Sequence, residues 1–163
     1  MSKPRFTTQQ MAAAGIIAAI YAALTLLLPI PQYGGIQFRV AEAMTVLPFL
    51  FPEAIPGLTV GCFIPLDWIV GTAATLLAAL WTSKLHHRAL APLPPVICNM
   101  VLVGAEIAWF STQEGAAFWP AFAFNSLTVG IGEAAACFIL GSLLLRVLPR
   151  VPALKGRIAS SRI

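Results

Sequence analysis

The sequence predicts an all-α integral membrane protein of six short transmembrane helices with both termini in the cytoplasm. Three observations predict it. Apolar residues make up 59% of the chain and charged residues 10%, against roughly 25% charged in a soluble domain, so most of the surface must face lipid. Apolar runs of helical length alternate with prolines at their ends. The basic residues gather near the two ends and in one loop, a topology signal. These observations exclude a soluble enzyme, a coiled coil and a disordered tail. The net charge of +4 comes without aromatic interleaving, so no nucleic-acid partner is expected.

Residues 1–163 read as a single membrane domain, with helices over about 9–28, 40–51, 54–64, 67–83, 94–110 and 120–148 and a cytoplasmic tail at 149–163. The first apolar run, Met11–Leu28, is 18 residues long. It exceeds the usual core of a secretory signal and ends at Pro29 without a small-residue cleavage site, so it reads as a retained helix. The stretch Val40–Ile64 is apolar but interrupted by Pro48, Pro52, Glu53, Pro56 and Gly57. It admits one crossing, two, or a re-entrant pair, and the positive-inside rule chooses an even count. Lys3, Arg5, Lys84, Arg88, Arg146, Arg150, Lys155, Arg157 and Arg162 then fall inside, with Arg39 alone outside. Trp68–Trp81, Pro95–Phe110 and the long run Phe122–Leu148 supply the remaining crossings.

Lipid does not tolerate polar residues without a partner or a wet cavity, an ionisable one costing at least ~2.5 kcal/mol at mid-bilayer. Arg39, Glu42, Asp67, Asn99, Glu106, Asn125 and Glu133 are therefore the candidate site residues. Arg39 and Glu42 are spaced i, i+3 and can pair on one face, which an interfacial ion pair would also explain. Asp67 beside Pro65 also suits a helix cap, and Asn99 suits helix-to-helix glue. Asn99 and Glu106 share a face, and Asn125 and Glu133 lie about 80° apart. Glu133 stands deep in a long apolar run with no basic residue within one turn. Such a set, with one arginine, suits a neutral or cationic planar solute rich in N–H donors, packed on Trp or Phe, and suits phosphate badly.

Ala14, Ala18 and Ala22 form a small-x-x-x-small ladder, with Gly15, Ala19 and Ala23 beside it. It suits close helix packing within the chain or docking to another protein. Cys62, Cys98 and Cys137 lie far apart in apolar runs and read as packing thiols. No P-loop, nucleophile elbow or H-E-x-x-H string occurs, and His86 and His87 fall in the expected cytoplasmic loop. No catalytic residue, cofactor or metal is expected.

Three strings carry a resemblance. They are Ile36–Phe49 (IQFRVAEAMTVLPF) continued by Pro52-Glu53-Ala54-Ile55-Pro56-Gly57, Leu90–Asn99 (LAPLPPVICN), and Val129-Gly130-Ile131-Gly132-Glu133. They resemble the QueT family over about Met11 to Leu148. The resemblance implies a substrate-capturing (S) component of an energy-coupling-factor (ECF) transporter in a prokaryotic cell membrane. Its solute would be a queuosine precursor, a 7-deazaguanine. The alanine strip Ala14, Ala18 and Ala22 would dock on a transmembrane coupling subunit driven by two separate ATPase subunits. The loop Pro29–Phe38 would act as a lid hinged at Gly34-Gly35, with Tyr33 and Gln37 as contacts. Asp67 and Trp68 would line the outer half of the site. Against the family pattern, the connection from Cys62 to Asp67 is short. Two other classes remain open: a small membrane-embedded enzyme using paired glutamates, and a purely structural membrane subunit.

Overall fold

The computed structural model describes residues 6–27, 39–64, 69–155 and 158. The described residues form helices only. Apart from the short turns Arg88–Leu90, Leu148–Arg150 and Pro152–Lys155, these are α1 (Thr8–Leu27), a 3-10 helix (Val40–Phe49), α2 (Ala54–Phe63), α3 (Val70–Lys84), α4 (Leu93–Gln113) and α5 (Phe118–Ala134). The last runs on through a widened π segment, Ala135–Gly141, into α6 (Ser142–Val147).

Three of these stretches are long and apolar enough to cross a bilayer: Thr8–Leu27, Arg88–Gln113 and Phe118–Arg150. The 3-10 helix and α2 have 10 residues each and α3 has 15. The expectation of six transmembrane helices therefore resolves into six helical segments of unequal reach. Burial explains why the shortest survives: Ala41 to Phe51 is buried throughout. Irregular backbone at membrane depth is tolerated where protein rather than lipid surrounds it. Pro48 removes one N–H near the end of the segment, and a 3-10 helix rises ~2.0 Å per residue instead of ~1.5 Å, so the same ten residues reach further.

Contacts fix the direction of each segment. Gly57 of α2 lies against Ala14 and Ile17 of α1, and Gly61 lies against Ala18 and Tyr21. Both series ascend together, so α1 and α2 run parallel, and the 3-10 helix between them must run back. The 3-10 helix and α2 thus run in opposite directions. Between α4 and α5 the order reverses, with Gly104 against Ser126 and Gly130 against Met100. Their hairpin turns on Gly115, whose φ of 91° is open to glycine at no steric cost. The N–H of Ala116 bonds the Ser111 carbonyl and that of Gly115 the Thr112 carbonyl, a Schellman closure of α4.

The core centres on the 3-10 helix. Met44, Val46, Leu47, Phe49, Leu50 and Phe51 pack with Tyr21, Leu58 and Leu145. Gly141 lets the π segment close on it, since a Cβ there would stand 2.9 Å from Val46 Cγ1. The outward faces of the long helices carry Ile16, Ile20, Trp109, Phe124, Leu127 and Ile139, all exposed as a lipid-facing surface requires. Beyond Arg150, Leu154 packs on the core and Ile158 is buried in it.

Candidate functional site

The antiparallel register of α4 and α5 brings Asn99 opposite Glu133. The Asn99 Nδ2 donates to Glu133 Oε1 at 3.0 Å. One turn on, within the π segment, the Cys137 thiol lies 3.7 Å from Glu133 Oε2 and 3.4 Å from the Glu42 carbonyl oxygen. The same carbonyl accepts the Thr45 hydroxyl at 2.6 Å. Glu42 Oε1 accepts a hydrogen bond from the Tyr21 hydroxyl of α1. Arg39, just before the 3-10 helix, is close enough for its charge to act on both Glu133 and Tyr21, and Glu42 acts on Glu133 likewise.

One buried group therefore joins α1, the 3-10 helix, α4 and α5: Tyr21, Arg39, Glu42, Asn99, Glu133 and Cys137. Each is no more than 8% exposed. Two carboxylates stand against one guanidinium, so acceptor oxygens outnumber charged donors. A solute offering N–H donors complements that set; an anion would meet carboxyl oxygens where it needs donors. Among the described residues no group of three or more His, Cys, Asp and Glu side chains is placed to hold a metal.

Of the residues singled out from sequence, Arg39, Glu42, Asn99 and Glu133 converge. Glu106 is half-buried two turns along α4 from Asn99. Asn125 turns its amide into its own helix, donating to the Ala121 carbonyl at 2.8 Å. Tyr33, Gln37, Asp67 and Trp68, like the lid Pro29–Phe38, lie outside the described residues. Tyr21 was missed, although a phenol inside the alanine-rich first helix is the kind of polar intruder that marked the others. Cys137 reads from sequence as a packing thiol; it is free and buried, and it also bridges the two glutamates.

Of the two readings of the alanine ladder, the packing within the chain is seen at Ala18 and Ala22, while Ala14 is half-buried. Ala18 and Ala22 are buried, and the Ala14 and Ala18 carbonyls face Gly57 and Gly61 of α2. Glycines on α2 meet small residues on α1, so the backbones approach closely. The neighbouring strip Gly15, Ala19 and Ala23 is exposed instead. Another face of α1, with Ile16, Ile17 and Ile20, lines a cleft of about 740 Å³ closed by the 3-10 helix and by residues from Leu140 to Leu148 of the π segment and α6. Ile16, Ile20, Met44, Leu143 and Leu144 are among its lining residues, and Glu53 is the sole charged one. The cleft is distinct from the polar group.

Residues 11–150 match the family model described as QueT transporter, and the chain belongs to that family. Comparison with curated proteins finds no match, and neither does comparison with solved structures.

Proposed function

From membership of the QueT transporter family, we propose that this chain is the substrate-capturing S component of an ECF importer, with a 7-deazaguanine queuosine precursor as its solute. The observation that carries the reading is the buried group of Tyr21, Arg39, Glu42, Asn99 and Glu133, drawn from four segments of a transporter. Carboxylates in such surroundings are costly, and a solute that bonds them offsets the cost. A guanine-like ring presents N1–H and a 2-amino group side by side, the donor pair that one carboxylate accepts. Glu133, oriented by Asn99, takes that edge, and Arg39 serves the ring carbonyl. Glu42, held by Tyr21, accepts a further donor such as the 7-aminomethyl group of one precursor. Glu106, Asn125, Tyr33, Gln37, Asp67 and Trp68 complete the proposed lining.

Both termini lie in the cytoplasm in this reading, and the solute enters from outside. The coupling subunit, driven by two ATPase subunits, docks along α1. With Ala18 and Ala22 packed internally, that contact falls on the adjoining Gly15, Ala19 and Ala23. The test is mass spectrometry of small molecules that copurify with the chain in mild detergent, followed by direct binding of 7-cyano- and 7-aminomethyl-7-deazaguanine. Glu133→Gln should weaken binding by about 10- to 150-fold, the worth of a hydrogen bond to a charged group. Unchanged affinity would remove Glu133 from the site, and absence of any deazapurine binding would end the reading.

A further inference from the structure

A second polar feature lies apart from the buried group. Arg88, between α3 and α4, donates through Nη2 to the backbone carbonyl of Leu145 near the end of the last long helix. That bond ties the loop to the helix end and fixes where the guanidinium sits. Arg146 stands in α6 and Arg150 in the 3-10 turn that ends it, Leu148–Arg150, and both are exposed. Among the described residues, the charges that act on Arg88 are those two, of the same sign as its own. Three cations held together repel one another, and an anion between them relieves the repulsion.

The surroundings say which kind of anion. Leu90 and Leu93 follow Arg88 in the chain, and Leu143 and Val147, which also line the cleft against α1, lie on either side of Arg146; all four are exposed large apolar residues. Trp81, also exposed, precedes Lys84 by one turn at the end of α3. Cations interleaved with exposed apolar side chains and an aromatic ring mark the level where acyl chains give way to headgroups. A free anion needs only the charges; a phospholipid uses both halves of this surface.

We propose that Arg88, Arg146 and Arg150 form a site for the phosphate headgroup of an anionic phospholipid, whose acyl chains lie along Leu90, Leu93, Leu143 and Val147. Basic pockets between transmembrane helices bind such headgroups, and each arginine near an anionic surface contributes a factor of about five.

Native mass spectrometry of the full chain in mild detergent, with equal amounts of cardiolipin and phosphatidylcholine added, tests it. Cardiolipin should be retained at least tenfold over phosphatidylcholine. Arg146→Gln and Arg150→Gln, at exposed positions, should each lower cardiolipin retention by about fivefold. Arg88→Gln should lower it as well, and its thermal unfolding reports separately whether the loop-to-helix bond was needed for folding. Equal retention of the two lipids by the unaltered chain would overturn the proposal. So would exposed-site variants that retain cardiolipin unchanged, or inorganic phosphate alone raising the unfolding temperature as far as cardiolipin does, which would mark a free-anion site.

Discussion

Gly61→Ala should separate α1 from α2 and, through Tyr21, loosen the buried polar group. An alanine Cβ at this position would stand 2.9 Å from the Ala18 carbonyl oxygen, 3.0 Å from Tyr21 Cβ and 3.1 Å from Ala18 Cα. Ordinary contact begins near 3.4 Å, so α1 must retreat by about half an ångström. Two of the three atoms are backbone and cannot rotate away. Overpacking of this kind costs about 1–3 kcal/mol. Gly15 supplies the control on the same pair of helices, because a Cβ there meets nothing within 4 Å. Both changes gain the ~1 kcal/mol by which alanine outranks glycine in a helix, so their difference isolates the steric cost. At about 2–4 °C per kcal/mol for a chain of this size, Gly61→Ala should unfold about 2–12 °C below Gly15→Ala in mild detergent. Tyr21 carries the displacement to Glu42, so solute affinity should fall with it. Equal unfolding temperatures for the two variants would refute the close approach of α1 and α2.

Tyr21→Phe removes the hydroxyl that Glu42 Oε1 accepts and should cost about 1–3 kcal/mol, read as a lower unfolding temperature; an unchanged one would deny the bond. Asn99→Leu leaves Glu133 Oε1 without its amide donor and should weaken deazaguanine binding, whereas Asn125→Leu, on a residue bonded within its own helix, should affect binding less. Maleimide labelling of the folded chain should modify Cys98, which is half-buried, and spare Cys62 and Cys137 until denaturant is added; rapid labelling of all three would contradict their burial. Gly141→Val should drive the π segment off the 3-10 helix, because even a Cβ there would lie 2.9 Å from Val46 Cγ1, and should lower the unfolding temperature below that of the unaltered chain, whereas Gly15→Ala should not.

Composition and pattern alone determined that the chain is helical and lives in lipid. Too few charges cannot cover a water-facing surface, and prolines mark where helices stop. The same logic picked out Arg39, Glu42, Asn99 and Glu133, since an ionisable or amide group in an apolar run needs a partner wherever the chain places it. Tertiary structure decided which of those residues share a site. Asn99 meets Glu133 through the α4–α5 register, while Asn125, on the same helix as Glu133, bonds to its own backbone. It also decided that Ala18 faces α2 and that Tyr21 and Cys137 join the glutamates. Side-chain spacing reports a face of a helix, but only the packing of other helices says what that face meets. The doubling back of Val40–Ile64 shows the same division. Charge counting favours an even number of passes; the packing shows only that α1 and α2 run parallel, with the 3-10 helix and its nine buried residues running back between them.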